Sequence, residues 1–167
     1  MADRPFGVLF LCTGNSCRSI MAECLLNALG QGRFRAFSAG SYPTGAVNPT
    51  ALDLLRRRGH PTEGLGSKSW DEFAGPDAPA MDLIVTVCDN AAGEVCPVWP
   101  GRPASAHWGF PDPATFQGSE SETRAFFEQV YGQIEARLKR FVAQSEGVQD
   151  PAGLLEVVQD MAAAEIP

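Results

Sequence analysis

A short apolar run, Gly7-Val8-Leu9-Phe10-Leu11, passes directly into Cys12-Thr13-Gly14-Asn15-Ser16-Cys17-Arg18-Ser19 and then into a helical pattern. The run reads as a buried strand over Phe6 to Leu11. Met21, Cys24, Leu25, Ala28 and Leu29 recur at helical spacing, which predicts a helix from Ser19 to Leu29 ended by Gly30. A tight loop between a strand and a helix turns its backbone N–H groups inward and adds the positive potential of the helix N-terminus. Cys12 stands at the strand end and Arg18 at the helix start. The result is a cradle for a tetrahedral oxyanion with a thiol at its floor. Arg18 can grip two anion oxygens, and the local field favours the Cys12 thiolate, the nucleophilic form. Gly14 lets the backbone approach closely, and Asn15 tolerates a left-handed conformation. Thr13, Gly14, Asn15, Ser16, Cys17 and Arg18 are therefore the expected anion-binding residues.

Strand and helix patterns alternate along the rest of the chain. Phe34 to Ser38 reads as a short strand. Asn48-Pro49 opens a helix with Ala51, Leu54 and Leu55 inward and Gly59 at its end. Leu83 to Val87 is a second strongly apolar strand, and Ala104 to His107 a further short one. Phe127, Val130, Tyr131, Ile134, Leu138 and Phe141 mark a long amphipathic helix. This alternation predicts an α/β fold of three layers, a central parallel sheet with helices on both faces. Ligands of such sheets sit beyond the carboxyl ends of the strands, where both Cys12 and Cys88 fall. The domain is expected to span residues 1–143. A tail over 144–167 is expected to hold one short helix from Asp150-Pro151.

A chain of 167 residues with 44% hydrophobic residues suffices for one domain with a real core. Its net charge of −7 argues against nucleic acid or an anionic membrane as partner. No apolar run is long enough to span a bilayer. The N-terminus lacks the layout of a secretory signal, so a reducing cytoplasm is the expected setting, where cysteines are reactive or buried rather than permanently bridged.

Cys24 lies on the apolar helix face and reads as core filling. Cys17 is a loop residue with a weak redox alternative. Cys88 and Cys96 are separated by seven mostly polar or small residues, a loop that can bring two thiols to disulfide distance and release them. Two inert buried thiols remain the bland alternative. Zinc on Cys12, Cys88, Cys96 and His107 lacks the close paired spacing of structural zinc sites. Asp112-Pro113 reads as a turn that can return an acid to the same rim as a proton donor.

The segment Val8 to Ser19 resembles the opening of bacterial arsenate reductases built on the low-molecular-weight protein tyrosine phosphatase fold. His107-Trp108-Gly109-Phe110-Pro111-Asp112-Pro113-Ala114 resembles that family's acid loop, and Val85 through Pro97 its redox segment. The resemblance runs from about Phe6 to Val142 and implies a four-stranded parallel sheet. It also implies a mechanism. Cys12 attacks arsenate while Arg18 holds it, Ser19 bonds the thiolate and Asp112 donates a proton. Cys88 then forms a disulfide with Cys12, and Cys96 takes over Cys88. Thioredoxin, or glutaredoxin with glutathione, resets the pair. No cofactor is required. Some relatives hold a potassium ion, whose site Asn15, Glu23 and Ser38 match, with Asp71 as a fourth. The protein is expected to act as a monomer in arsenic detoxification. The rival reading is a phosphatase of phosphomonoesters. Ala114-Thr115 stands where the phosphatases carry an aromatic pair, and Cys88 and Cys96 would then have no role.

Overall fold

The computed structural model describes residues 5–75, 77–87, 103–113 and 116–165, with side chains to residue 161. Four strands form one parallel sheet in the order β2-β1-β3-β4. They are β1 (Phe6–Cys12), β2 (Phe34–Gly40), β3 (Leu83–Thr86) and β4 (Ala104–His107). The α-helices are α1 (Arg18–Leu29), α2 (Pro49–Arg57), α3 (Glu120–Gln144) and α4 (Pro151–Glu165).

Strand β1 lies between β2 and β3 and is buried along its whole length. Its side chains alternate between two apolar clusters, as the period of a strand requires. Phe6, Val8, Phe10 and Cys12 enter the larger cluster, with residues of α1, α2, α3 and α4. Leu9 and Leu11 enter the smaller one, with Ala39, Phe73, Met81 and Ile84. That second face is closed by a 3₁₀ turn at Trp70–Phe73 that the sequence pattern does not mark.

The pairing Cys12↔Gly40 sets the ends of β1 and β2 level, so the loop after Cys12 crosses close over Gly40. A Cβ at Gly40 would collide with the Thr13 and Cys12 carbonyls. Strands β3 and β4 run alongside in register, Leu83↔Ala104 to Thr86↔His107, so the chain leaving β4 returns to the same rim.

Helix α3 begins earlier than its apolar periodicity, because Ser119 and Glu122 form a reciprocal capping box. It ends at Gln144, one residue past the expected domain limit. Helix α4 lies in the expected tail and buries Leu154, Val157, Val158 and Met161 in the larger cluster.

Candidate active site

The loop from Thr13 to Cys17 is held from outside by two segments of chain, Tyr42 to Asn48 and Ser67 to Lys68. The Tyr42 N–H donates to the Thr13 carbonyl at 3.0 Å, the Thr44 N–H to Gly14 at 3.0 Å and the Asn48 N–H to Ser16 at 2.8 Å. The Ser67 hydroxyl donates to the Gly14 carbonyl at 2.9 Å. These tied carbonyls brace the loop in the kind of turn whose peptide N–H groups can converge on an anion. Asn15 adopts the left-handed conformation, φ 45°, as the sequence suggested.

Below the loop runs a buried hydrogen-bonded chain. Cys12 Sγ lies 3.3 Å from Ser19 Oγ. Asn15 Nδ2 donates to that same Oγ at 2.8 Å, and Asn15 Oδ1 accepts from the Lys68 N–H at 2.8 Å. Because the amide already donates to Ser19, the Ser19 hydroxyl proton is available to the Cys12 sulfur. Helix α1 has no acidic residue in its own first turn, so none of that turn's side chains opposes its N-terminal field.

Two other cysteines flank the site and behave differently. Burial pushes the Cys17 thiol up, the Asp112 carboxylate adds to this, and Arg18 opposes it. Cys17 Sγ points to Asp112 Oδ1 at 4.0 Å. Burial also pushes the Cys24 thiol up, to about 12. Both are protonated near neutral pH, and thiols in that state are poor nucleophiles.

Arg18 joins this loop to the acid loop. Its Nη1 donates to the Phe110 carbonyl at 3.0 Å, and its Nη2 lies 3.4 Å from Asp112 Oδ2. Its Nε is buried and has no acceptor among the described residues. The structure thus brings Cys12, Arg18, Ser19 and Asp112 to one rim. Cys88 and Cys96 lie outside the described residues, as do Ala114 and Thr115.

The low molecular weight phosphotyrosine protein phosphatase family matches residues 7–150. An arsenate reductase of Bacillus licheniformis is 39% identical over 140 residues, 83% of this chain and 96% of its own. The chain belongs to the arsenate reductase branch of this family. Solved arsenate reductases share its architecture. The enzyme from Archaeoglobus fulgidus superposes with a TM-score of 0.64 at 33% identity, over 81% of this chain and 98% of its own. A thioredoxin-dependent arsenate reductase from Corynebacterium glutamicum gives 0.61 at 27% identity, over 87% of this chain and 65% of its own. Among the described residues no helix is long and apolar enough to cross a membrane.

Within this arsenate reductase branch the structure adds two residues that the motif does not contain. Ser67 and Lys68 hold the loop from a segment 53 residues away in sequence. Their only advance signal is Ser69, a cap before the 3₁₀ turn. The residues matched to a potassium site fall in two places. Ser38 donates to Glu23 Oε1 at 2.5 Å beside Asn15's loop, while Asp71 is exposed in the 3₁₀ turn.

Proposed function

We propose that this protein reduces arsenate to arsenite, using Cys12 as nucleophile and Cys88 and Cys96 as a disulfide relay. The observation that carries the reading is the single rim formed by Cys12, Ser19, Arg18 and Asp112. Arsenate enters the loop and takes the backbone N–H groups and Arg18, whose buried Nε suits an anion oxygen. The Cys12 thiolate attacks arsenic, and Asp112 protonates the departing oxygen, which leaves as water. Cys88 then attacks the Cys12 sulfur. The sulfur–arsenic bond breaks with its electron pair going to arsenic, which leaves as arsenite. The two thiols have supplied both electrons and form a Cys12–Cys88 disulfide. Cys96 attacks Cys88 and frees Cys12. A dithiol of the thioredoxin class opens the Cys88–Cys96 bond by exchange. The thioredoxin-dependent relative supports that choice of reductant over glutaredoxin with glutathione. A reducing cytoplasm suits this cycle.

The test is repeated arsenite release from arsenate by the purified protein with thioredoxin, thioredoxin reductase and NADPH. Cys88→Ser and Cys96→Ser variants are run beside it. Multiple turnovers by wild type and none by either variant support the relay. A wild type inert to arsenate that hydrolyses aryl phosphates, with both variants equally active, would make it a phosphatase instead.

A further inference from the structure

The cluster of Asn15, Glu23 and Ser38 already faces a positive charge. Lys68 Nζ stands 4.0 Å from Glu23 Oε1, the oxygen that accepts the Ser38 hydroxyl, and donates to the Gly66 carbonyl at 2.9 Å. The Lys68 backbone is pinned on both sides. Its N–H donates to Asn15 Oδ1 at 2.8 Å, and its carbonyl accepts from the Gly40 N–H at 2.9 Å. Burial pushes the Glu23 carboxyl up, and the Ser38 hydroxyl and Lys68 ammonium pull it back down.

A hard metal cation binds among several oxygens, carboxylate and carbonyl above all. Here the Lys68 ammonium already stands beside the Glu23 carboxylate, so an added cation would meet a like charge at that oxygen. With Lys68 in place the donor set therefore does not fit such an ion. A lysine ammonium is itself a compact single positive charge with three donors.

We propose that Lys68 is the resident cation of this cluster. Its ammonium stands in place of an alkali-metal ion and counters Glu23, while its backbone N–H, bonded to Asn15 Oδ1, fixes that charge beside the loop around Cys12. Lys68 is thus a positioning residue with no contact to the reacting atoms. The proposal rests on the anion-loop reading above, but not on which oxyanion is turned over.

Thermal melting without substrate tests it, in potassium chloride against choline chloride at an equal ionic strength of about 0.1 M. Wild type is expected to melt at the same temperature in both. Lys68→Ala is expected to melt lower in choline chloride, by about 2–4 °C, and to recover in potassium chloride. Arsenate kcat/KM should follow the same pattern. Stabilisation of wild type by potassium would overturn the proposal, and that arm stands even if the variant fails to fold. A folded Lys68→Ala indifferent to potassium would overturn it as well. Inactivity toward arsenate with the melting pattern intact would count against the proposed substrate and leave the resident cation standing.

Discussion

Ser19 is the residue on which the Cys12 surroundings turn. It is fully buried, meets the Cys12 sulfur at 3.3 Å and receives the Asn15 amide at 2.8 Å. Ser19→Ala removes the hydroxyl from the thiolate and leaves a buried amide N–H unpaired. An unpaired buried donor costs about 1–3 kcal/mol. A lost donor to a catalytic anion costs on the order of 10²–10³ in rate. We expect kcat for arsenate to fall toward that range while the protein melts only a few degrees lower, measured by arsenite release and calorimetry on one preparation. Asp112→Asn keeps the shape but cannot give up a proton, and general acid catalysis contributes about 10²–10⁴. Turnover should fall by that order with arsenate binding retained, read by titration calorimetry. These residues were legible because Cys12 to Ser19 are contiguous and Asp112 sits in a recognisable loop. Lys68 was not, because a backbone N–H carries no sequence signature and acts here across 53 residues.

At the scale of elements, periodicity located every strand and helix among the described residues except the four-residue 3₁₀ turn, which is too short to show a period. Ends were less legible than middles. Helix α3 starts at Glu120 because its cap decides the boundary, whereas apolar spacing reports only the part facing the core. The seam between α2 and α3 depends on charge. His60 Nε2 lies 2.7 Å from the Tyr131 hydroxyl, and Arg57 and Arg58 both meet Glu128. Burial holds His60 below its ordinary value of 6.5; Glu135 opposes this and Arg58 reinforces it. The unfolded chain therefore binds a proton at His60 more readily than the folded one. Its contribution to stability is present above pH 6.5 and is lost as pH falls toward the lowered value. Melting temperature against pH between about 7 and 5 should fall more steeply for wild type than for His60→Gln. Equal slopes would show that His60 titrates alike in both states.

On the scale of the whole molecule, helix α4 ties the end of the chain to the strands that serve the site. The family match stops at residue 150 and α4 begins at Pro151. Its Leu154 is fully buried, and Val157, Val158 and Met161 join it in the cluster that holds α1 and α3. The helix packs against α3, β3 and β4, and the chain leaving β3 and β4 carries Cys88 and Asp112. The sequence marked Leu154, Leu155, Val158 and Met161 as apolar but neither Val157 nor their destination, since an amphipathic helix of that size fits a core or a partner equally well. Burying a Leu, Val or Met side chain contributes about 1.5–3 kcal/mol, so four of them approach the total stability of a domain, about 5–15 kcal/mol. Deletion after Asp150 should therefore leave a chain that fails to fold cooperatively. Leu154→Ala is the graded version, with a cost of about 2–5 kcal/mol and about 2–4 °C of melting temperature per kcal/mol. If α4 also steadies the acid loop, this variant should lose kcat well below its melting range while arsenate binding at Cys12 and Arg18 persists. Unchanged kcat in a destabilised Leu154→Ala would confine the helix to stability alone.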